Sequence, residues 1–292
     1  MILDLELRSL YAHTTVVMLL QKDSRWIIQK YIERPLLIHH TKFDIRQWIL
    51  IDSWSPLKTW VYKDSYLRFS SRKYSLDNFN SAIHLTNYAI QKNYDSKAVD
   101  ISKELPDDNM WVNQQFNKRF LNKYGIENIW EDQVWPQMVE VLHKLLLCTQ
   151  QSGCTEAGTK LRGFFELYGV DFMLSIDDSN LTENDNDDEE GEIENENANQ
   201  PICPLIKVWI IEVNSCPSMA LGSSKATHEL CRSVMEDTID LALHENRFWN
   251  NSPGAQVGKF VLAICNNVSQ IIPKYTGKDL VIEGTEIKKP RD

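Results

Sequence analysis

The sequence has no hydrophobic run long enough to cross a membrane and no cysteine pair with metal-binding or redox spacing. The longest apolar run near the start, Val16–Leu20, is far shorter than the roughly 20 residues that a bilayer requires. The six cysteines are irregularly spaced without a C-x-x-C pair, which favours reduced thiols over a disulfide scaffold or a zinc ribbon. No basic segment followed by a long apolar stretch opens the chain, so we expect no secretory signal. These absences predict a cytoplasmic protein without a membrane partner.

Several common catalytic motifs are also missing. The chain contains neither G-x-x-x-x-G-K-[ST] nor G-x-G-x-x-G, so no P-loop and no Rossmann fingerprint indicates nucleotide binding. It also lacks H-E-x-x-H, G-x-S-x-G and the H-R-D and D-F-G series of protein kinases. Protease, α/β-hydrolase and protein-kinase functions are therefore poor candidates.

Charge is distributed unevenly along the 292 residues, whose formal net charge is −10. Residues 177–200 contain eleven acidic residues and no lysine or arginine, and we expect this apolar-poor segment to be a disordered insertion. Residues 22–73 contain eleven basic and five acidic residues, which either face an acidic ligand or are scattered over the surface. Trp111, Trp130 and Trp135 are expected in the core or at an interface, not on a base-stacking platform, and we predict no nucleic-acid partner.

Hydrophobic patterning predicts two groups of strands, separated by a helical region. The predicted strands are Trp26–Ile32, Phe43–Ile51, Trp60–Tyr62 and Tyr66–Phe69 in the first group, and Phe164–Ile176 and Ile206–Val213 in the second. The second pair flanks the acidic insertion, which is expected to extend the connection of a β-hairpin.

Apolar residues at three- and four-residue steps predict the helices. This period begins near Trp111 and continues to about Gln151, and it returns over Ser224–His244. A further helix is predicted over Gly258–Ile272. The order of strands, helices, a strand pair and a helix predicts an α+β fold with a mainly antiparallel sheet and packed helices.

The strand pair around the acidic insertion carries the most informative polar residues. Because residues alternate faces along a strand, Ile210, Glu212 and Asn214 are expected to share one face. If the two strands form a hairpin, Asp171 lies across from Glu212 and Asn214. Two carboxylates and an amide oxygen suit Mg²⁺. The alternative is that Asp171 caps a turn and Glu212 pairs with a lysine.

The strand Phe43–Ile51 and the residue before it carry a second set of polar residues. Lys42, Asp44 and Arg46 are expected on one face, and Phe43 and Ile45 on the other. Such a cation–anion–cation row either lies on a solvated edge or lines a cleft that binds a polyanion.

Six motifs in a fixed order resemble the tubulin tyrosine ligase-like family. They are QKYIERPLLI, KFDIRQWILI, SYLRFS, HLTN, ELYGVDFM and KVWIIEVNSCPSM. The longer variants YIERPLLIHHTKFDIRQW, KDSYLRFS and SAIHLTN look most like the glycylase branch of that family, the tubulin monoglycylases. The similarity runs from about Trp26 to Glu245, and six ordered motifs are far more specific than any one alone.

The resemblance implies an ATP-grasp fold, in which the nucleotide lies between two α+β subdomains. It also implies an ATP- and Mg²⁺-dependent ligase that forms a C–N bond between free glycine and glutamate γ-carboxylates in tubulin C-terminal tails. In that chemistry the acceptor carboxylate is phosphorylated and the glycine amine displaces the phosphate. The implied locations are the cytoplasm, the microtubule cytoskeleton and the axoneme of cilia or flagella. The alternatives are a ligase that adds glutamate or tyrosine and a non-catalytic tubulin-binding remnant.

The matching motifs imply a set of nucleotide-binding residues. The positions that resemble the family's adenine-binding segment are Gln29, Lys30, Tyr31 and Ile32. Lys42 and Asp44 match positions that contact the ribose and phosphates. Thr86 and Asn87 of HLTN match positions that contact phosphate or the incoming amino acid.

The resemblance also implies the catalytic and metal-binding residues. Arg46 and Arg68 match cleft arginines that hold the acceptor carboxylate or the acyl-phosphate, for which a planar guanidinium is suited. Asp171, Glu212 and Asn214 match the magnesium ligands of the family. This set coincides with the one that strand alternation predicts.

One departure from the family concerns the N-terminal region. Family members have an N-terminal domain and a glycine-rich, lysine-bearing segment before the QKYI motif, whereas residues 1–20 here contain no glycine. The resemblance thus implies an N-terminally truncated ATP-grasp fold. Residues 1–21 would be a remnant of the preceding subdomain, residues 22–248 the catalytic region with its 177–200 insertion, and residues 249–292 a C-terminal helix and polar tail.

Overall fold

A long strand, β2 (Thr41–Trp54), lies at the centre of a nine-stranded sheet. The structure is a computed structural model that describes residues 29–94, 105–106, 108–151, 165–176, 205–219, 225–243 and 252–266. Within these ranges every strand pairing is antiparallel, and helices pack on both faces of the sheet. The predicted α+β fold with a mainly antiparallel sheet is therefore confirmed.

The remaining strands extend the sheet outward from β2. They are β1 (Leu37–Ile38), β3 (Leu57–Tyr62), β4 (Tyr66–Lys73), β5 (Met110–Val112), β6 (Glu166–Ile176), β7 (Ile206–Asn214), β8 (Gln256–Val257) and β9 (Phe260–Asn266). One edge of β2 pairs with β4 and then β3, and the other edge pairs with β1 and β6. β7 pairs with β6, so the predicted hairpin around residues 177–200 is confirmed, while these residues themselves lie outside the described ranges.

Short and long helices connect and cover the strands. They are α1 (Ser81–His84), α2 (Tyr88–Gln91), α3 (Asn113–Tyr124), a π-helical turn (Trp130–Val134), α4 (Trp135–Gln151) and α5 (Lys225–Leu243). The predicted helix over Ser224–His244 is thus confirmed as α5. The helical region predicted from Trp111 begins only at Asn113, because Trp111 lies in strand β5. It is also divided, because Gly125 follows α3 and its left-handed φ of 72° ends a helix readily.

The two faces of β2 have different surroundings. Phe43, Ile45 and Ile49 belong to an apolar core with side chains of α3 and α4, including Phe116 and Met138. On the opposite face, the second half of β2 contributes to a separate apolar cluster beneath α5. That cluster includes Trp48, Leu50, Trp60, Tyr62, Leu230, Val234 and Phe260. None of the helices in the described part of the chain is long and apolar enough to span a membrane.

The helix predicted over Gly258–Ile272 is wrong where the structure describes it. Phe260, Leu262 and Ile264 lie in strand β9 and are buried at every second position, which is the period of a strand. Gly258, with φ of 54°, lies in the turn between β8 and β9. Residues 267–272 lie outside the described ranges, as do residues 1–21 of the predicted remnant.

The strand predicted over Trp26–Ile32 is also wrong in its described part. Residues 29–32 form no regular element, and β1 begins only at Leu37. Pro35 lies before β1 and forms only an isolated bridge, to Ser175 of β6. A β-prone composition indicates a strand only where a neighbouring strand completes the hydrogen-bond ladder.

Candidate active site

Three charged residues occupy the first half of β2 on the face that carries Trp48 further along. Lys42, Asp44 and Arg46 are each no more than 7 % exposed. Since β2 is flanked by strands on both edges, the alternative in which this row lies on a solvated edge is wrong. Lys42 lines a cavity, and the other alternative, in which the whole row lines a cleft that binds a polyanion, stays a prediction. Lys63 of the basic stretch, by contrast, is exposed.

Arginines and carboxylates alternate across three neighbouring strands. Arg46 Nε donates to Oδ1 of Asp171 at 2.6 Å, and Arg68 Nε donates to Oδ1 of Asp44 at 2.7 Å. Arg68 Nη2 lies 2.9 Å from Oδ2 of Asp171, which joins the two pairs. The strand register positions them, because Asp44 lies directly opposite Arg68, and Arg46 directly opposite Asp171. Charge is thus balanced within this buried four-residue ladder.

The surroundings of the ladder favour the charged form of Arg68. Burial disfavours the Arg68 guanidinium, but the carboxylates of Asp44 and Asp171 outweigh that effect and hold the pKa of Arg68 above its ordinary value. Tyr66 lies opposite Arg46 in the sheet, and its ring packs 5.5 Å from that of Trp48. Burial raises the pKa of Tyr66, although the two nearby guanidinium groups oppose this shift, and the phenol therefore stays protonated at neutral pH.

A glycine gives Arg46 the space that it occupies. A methyl group at Gly169 would lie 2.6 Å from Nη1 of Arg46 and 2.8 Å from Cβ of Pro217, closer than carbon side chains approach. Gly169 lies within ELYGVDFM and was not singled out from the sequence. The available signal in the sequence was the position of Gly169 within this motif. The close approach of Arg46 is visible only in the folded structure.

The predicted magnesium ligands lie together on one face of the β6–β7 hairpin. Asp171 lies opposite Glu212, and Asn214 donates from Nδ2 to Oε1 of Glu212 at 3.1 Å. Since Asp171 lies within a strand, the alternative in which it caps a turn is wrong.

The predicted facing of Ile210 with Glu212 is wrong because β7 contains a bulge. The register shifts so that Asp171 opposes Glu212 while its neighbour Phe172 opposes Ile210. Ile210 consequently packs against the apolar core with Phe172. An inserted residue reverses the alternation of the residues beyond it, and single-strand patterning gives no sign of this.

The donor set fits Mg²⁺ in its chemistry. Glu212 and Asn214 lie at the less buried edge of the sheet and present carboxylate and amide oxygens, the hard ligands that Mg²⁺ prefers. Both Asp171 oxygens are bound by arginine, and Oδ2 has two guanidinium neighbours, so the second lone pair of Oδ1 is the one that could reach a metal. In the described ranges no three histidine, cysteine, aspartate or glutamate side chains converge as a metal-binding group. The set depends on an asparagine, and its role as a ligand stays a prediction.

A cavity of about 290 Å³ lies beside Lys42, between the segment before β1 and the β6–β7 hairpin. Its lining includes the four predicted adenine-binding residues and apolar side chains of the hairpin, among them Met173, Trp209 and Ile210. Gln29 Nε2 donates to the main-chain oxygen of Ile211 at 3.3 Å, which links the segment to β7. A partly open, largely apolar cavity with cations in its lining is suited to an aromatic base that carries anionic groups.

A second cavity, of about 370 Å³, has Arg68 in its lining. Thr86, Tyr88 and Lys92 contribute to its lining, so the predicted Thr86 faces open space beside the ladder. Asn87 has a different local role, because its Oδ1 accepts from the main-chain N of Ala89 at 2.9 Å and caps α2. Sequence reasoning missed Tyr88 and Lys92, which follow HLTN and carry no pattern of their own.

Comparison with known proteins agrees with the motif order. The family model described as "Tubulin-tyrosine ligase family" matches residues 8–248. This chain belongs to the tubulin-tyrosine ligase family. Its curled antiparallel sheet with few helices is the ATP-grasp-like fold of that family, and the fold prediction is confirmed.

Curated relatives in the tubulin-tyrosine ligase family include several named glycylases. The chain is 37 % identical over 272 residues to the tubulin monoglycylase TTLL3 of Danio rerio and 36 % identical over 270 residues to the protein monoglycylase TTLL8 of Mus musculus. It is 36 % identical over 270 residues to the tubulin monoglycylase TTLL3 of Homo sapiens. These alignments cover 92–93 % of this chain but only 28–30 % of the relatives.

Proposed function

We propose that this chain contains the catalytic region of an ATP-dependent ligase that joins glycine to glutamate side chains in tubulin C-terminal tails. The observation that carries the proposal is that two paired strands each contribute a buried cation to a cavity, Lys42 of β2 to the first and Arg68 of β4 to the second, beside a set of carboxylate and amide oxygens. Such a ligase must hold a nucleotide and an anionic acceptor on opposite sides of one reacting centre. The names of the relatives support glycine as the amino acid.

In this proposal the first cavity binds ATP. The segment Gln29–Ile32 would read the base through its main chain, and the apolar side chains of the hairpin would cover the ring. Lys42 lies at the cavity wall, where its ammonium would neutralise phosphate charge. Asp171, Glu212 and Asn214 would hold Mg²⁺, which when bound shields the phosphate oxygens during transfer.

Arg46 and Arg68 would hold the acceptor carboxylate in line with the terminal phosphate. The acceptor oxygen attacks that phosphorus and ADP leaves, after which the glycine amine attacks the acyl carbon and inorganic phosphate leaves. Negative charge develops on oxygen atoms in both steps, and fixed guanidinium groups stabilise such charge without reorganising. Their carboxylate partners keep them charged and oriented before substrate arrives.

The second cavity is the proposed entry for the acidic tail. Lys92 and Arg68 supply positive charge there, and Thr86 and Tyr88 supply hydroxyl groups. Tubulin and microtubules are accordingly the proposed partners. A cytoskeletal location is proposed with them, including the axoneme of cilia or flagella.

A glutamate or tyrosine ligase of the same family is the second candidate. The description of the matching family model, "Tubulin-tyrosine ligase family", supports tyrosine as one alternative to glycine. Competition among unlabelled glycine, glutamate and tyrosine in one assay separates the candidates. Glycine alone should reduce incorporation of labelled glycine.

The decisive experiment measures incorporation of labelled glycine into purified tubulin with Mg-ATP. We expect incorporation by the wild type, loss in Asp171→Asn, and normal rates in Glu140→Gln, an exposed acid of α4. Circular dichroism would check that each variant is folded. Tubulin binding without incorporation by folded wild type would contradict a ligase and favour a non-catalytic tubulin-binding protein.

A further inference from the structure

His84 lies at the C-terminal end of α1, in the HLTN motif, and has no part in the proposed chemistry. Its side chain is 1 % exposed and surrounded by aromatic rings. Phe79 stacks on the imidazole with ring centres 5.9 Å apart, and Tyr31 and Tyr74 meet it edge-on at 5.7 and 5.6 Å. Aromatic side chains thus enclose the ring and hold its orientation.

The hydrogen bonds of His84 define which nitrogen carries the proton. Nε2 lies 2.8 Å from the main-chain oxygen of Asn78, which can only accept, so Nε2 must carry hydrogen. In the neutral ring Nδ1 is then an acceptor. Tyr31 Oη lies 2.6 Å from Nδ1 and must donate its hydroxyl hydrogen to it.

Lys42 completes the sequence of donors. Its Nζ donates to Tyr31 Oη at 2.9 Å and to the main-chain oxygen of His84 at 2.9 Å. The ammonium also lies 4.5 Å from the centre of the Tyr31 ring. Hydrogen bonds therefore run in one direction, from Lys42 to Tyr31, from Tyr31 to His84 and from His84 to Asn78.

Two residues of this series of hydrogen bonds line the first cavity. Tyr31 belongs to the segment that borders it, and Lys42 comes from β2 on its other side. His84 lies behind both and is absent from the lining. An acceptor at Nδ1 fixes the rotation of the Tyr31 hydroxyl, which in turn directs its lone pairs toward Lys42.

We propose that His84, as the neutral Nε2–H tautomer, is a positioning residue for the nucleotide cavity. It holds Tyr31 and, through Tyr31, the Lys42 ammonium in the orientation that receives ATP. This inference rests on the proposed nucleotide function of the cavity. It extends that function by assigning a required tautomer to a residue that does not touch the ligand.

Two substitutions at His84 distinguish the roles of its two ring nitrogens. His84→Asn retains an acceptor near the position of Nδ1, whereas His84→Gln places its amide near Nε2 and leaves Tyr31 without its acceptor. One lost hydrogen bond corresponds to roughly a 5- to 10-fold weaker affinity for Mg-ATP. We expect that loss in His84→Gln and in Tyr31→Phe, and affinity within about 3-fold of wild type in His84→Asn.

Calorimetric titration with Mg-ATP measures these affinities. The double variant Tyr31→Phe/His84→Gln should bind no more weakly than either single variant, because both remove the same hydrogen bond. Tyr62→Phe is the control, since it removes a hydrogen-bonded tyrosine hydroxyl from the cluster beneath α5. Additive losses, or equal losses in the asparagine and glutamine variants, would overturn the positioning role.

Nitrogen-15 NMR of the labelled imidazole reads the tautomer without nucleotide. We expect Nε2 protonated and Nδ1 unprotonated, and the reverse tautomer or the imidazolium would overturn the inference. Wild type that fails to bind Mg-ATP would overturn the proposed function and this inference together. Wild type that binds while His84→Gln binds equally well would overturn this inference alone.

Discussion

One face of strand β2 is charged in its first half and apolar in its second. Lys42, Asp44 and Arg46 give way at the same two-residue spacing to Trp48 and Leu50. Both halves are buried, but by different neighbours. Strands β4 and β6 supply countercharges to the first half, while α5, β3 and β9 cover the second with apolar side chains.

This difference between the two halves of the face assigns stability to one half and chemistry to the other. Burying apolar side chains stabilises a fold by roughly 1.5–3 kcal/mol for each large residue. Buried ion pairs contribute little net stability, because desolvation offsets their attraction, and apolar replacements of similar size are often as stable. The second half of the face therefore stabilises the sheet, and the charged half is explained by what its arginines can bind.

The largest expected effect is on stability, from the apolar half. Phe260→Ala removes a fully buried ring that packs 4.9 Å from the ring of Tyr62. We expect the free energy of unfolding to fall by about 3–5 kcal/mol, as for other buried phenylalanines. Urea denaturation measures this loss. Mg-ATP affinity of the folded variant at low temperature should be unchanged, and a parallel loss of affinity would remove the distinction between the halves.

The next effect is on activity, from the charged half. Arg46→Lys retains a positive charge beside Asp171 but loses the two-pronged contact that the guanidinium makes. Loss of one fixed donor to a developing oxyanion lowers the rate by roughly 100-fold or more. Glycine incorporation should fall accordingly with little change in the urea midpoint. A variant that is unstable but fully active would contradict the comparison.

A smaller effect is expected from a polar contact in the apolar half. Tyr62 donates to Oδ2 of Asp237 at 2.7 Å and lies 2.9 Å from Oγ of Ser233, both on α5. Tyr62→Phe should lower the free energy of unfolding by about 1–2 kcal/mol at neutral pH. Glycine incorporation should not change, and a reduced rate would place this hydroxyl in the chemistry.

The effect of Tyr62→Phe should depend on pH. Burial and the carboxylate of Asp237 raise the pKa of Tyr62 above its ordinary value. In the unfolded chain this group loses its proton near pH 10, before the folded protein does. The stabilisation is thus complete below about pH 10 and declines above it. The difference between wild type and variant should shrink over the same range in urea titrations, and a widening gap would contradict this assignment.

The smallest effect is expected outside both halves. Lys144 pairs with Glu140 one turn away on α4, with both side chains largely exposed. Exposed pairs of this kind are screened by solvent and seldom contribute measurably. Lys144→Ala should leave both the urea midpoint and glycine incorporation unchanged. A clear loss of either would show that this helix face has a role that burial does not reveal.

The sequence predicted the regular parts of this fold well. Strict alternation along Phe43–Ile51 placed the charged row correctly, because both edges of β2 are paired and its two faces differ sharply. Alternation failed at Ile210, where a bulge in β7 changes the facing. The alternation in β9 was also overlooked. Its short apolar run fits a helix and a strand equally well until the neighbouring strands β3 and β8 are known.

The site was only partly accessible from the sequence. Motifs brought these residues to attention, and strand register explains why Arg46, Arg68 and Asp171 meet. The need for glycine at residue 169 arises from contacts between strands far apart in the chain. The aromatic enclosure of His84 likewise depends on segments that patterning does not connect.

The most direct test of the account is calorimetric titration of the chain with ATP in the presence and absence of Mg²⁺. The matched variants are Lys42→Met, which removes the ammonium at the cavity wall, and Lys144→Met, which removes an exposed one. The account predicts Mg²⁺-dependent binding that is at least about 10-fold weaker in Lys42→Met and unchanged in Lys144→Met. Equal affinity in both variants, or no binding by folded wild type, would contradict the assignment of the charged half to the nucleotide.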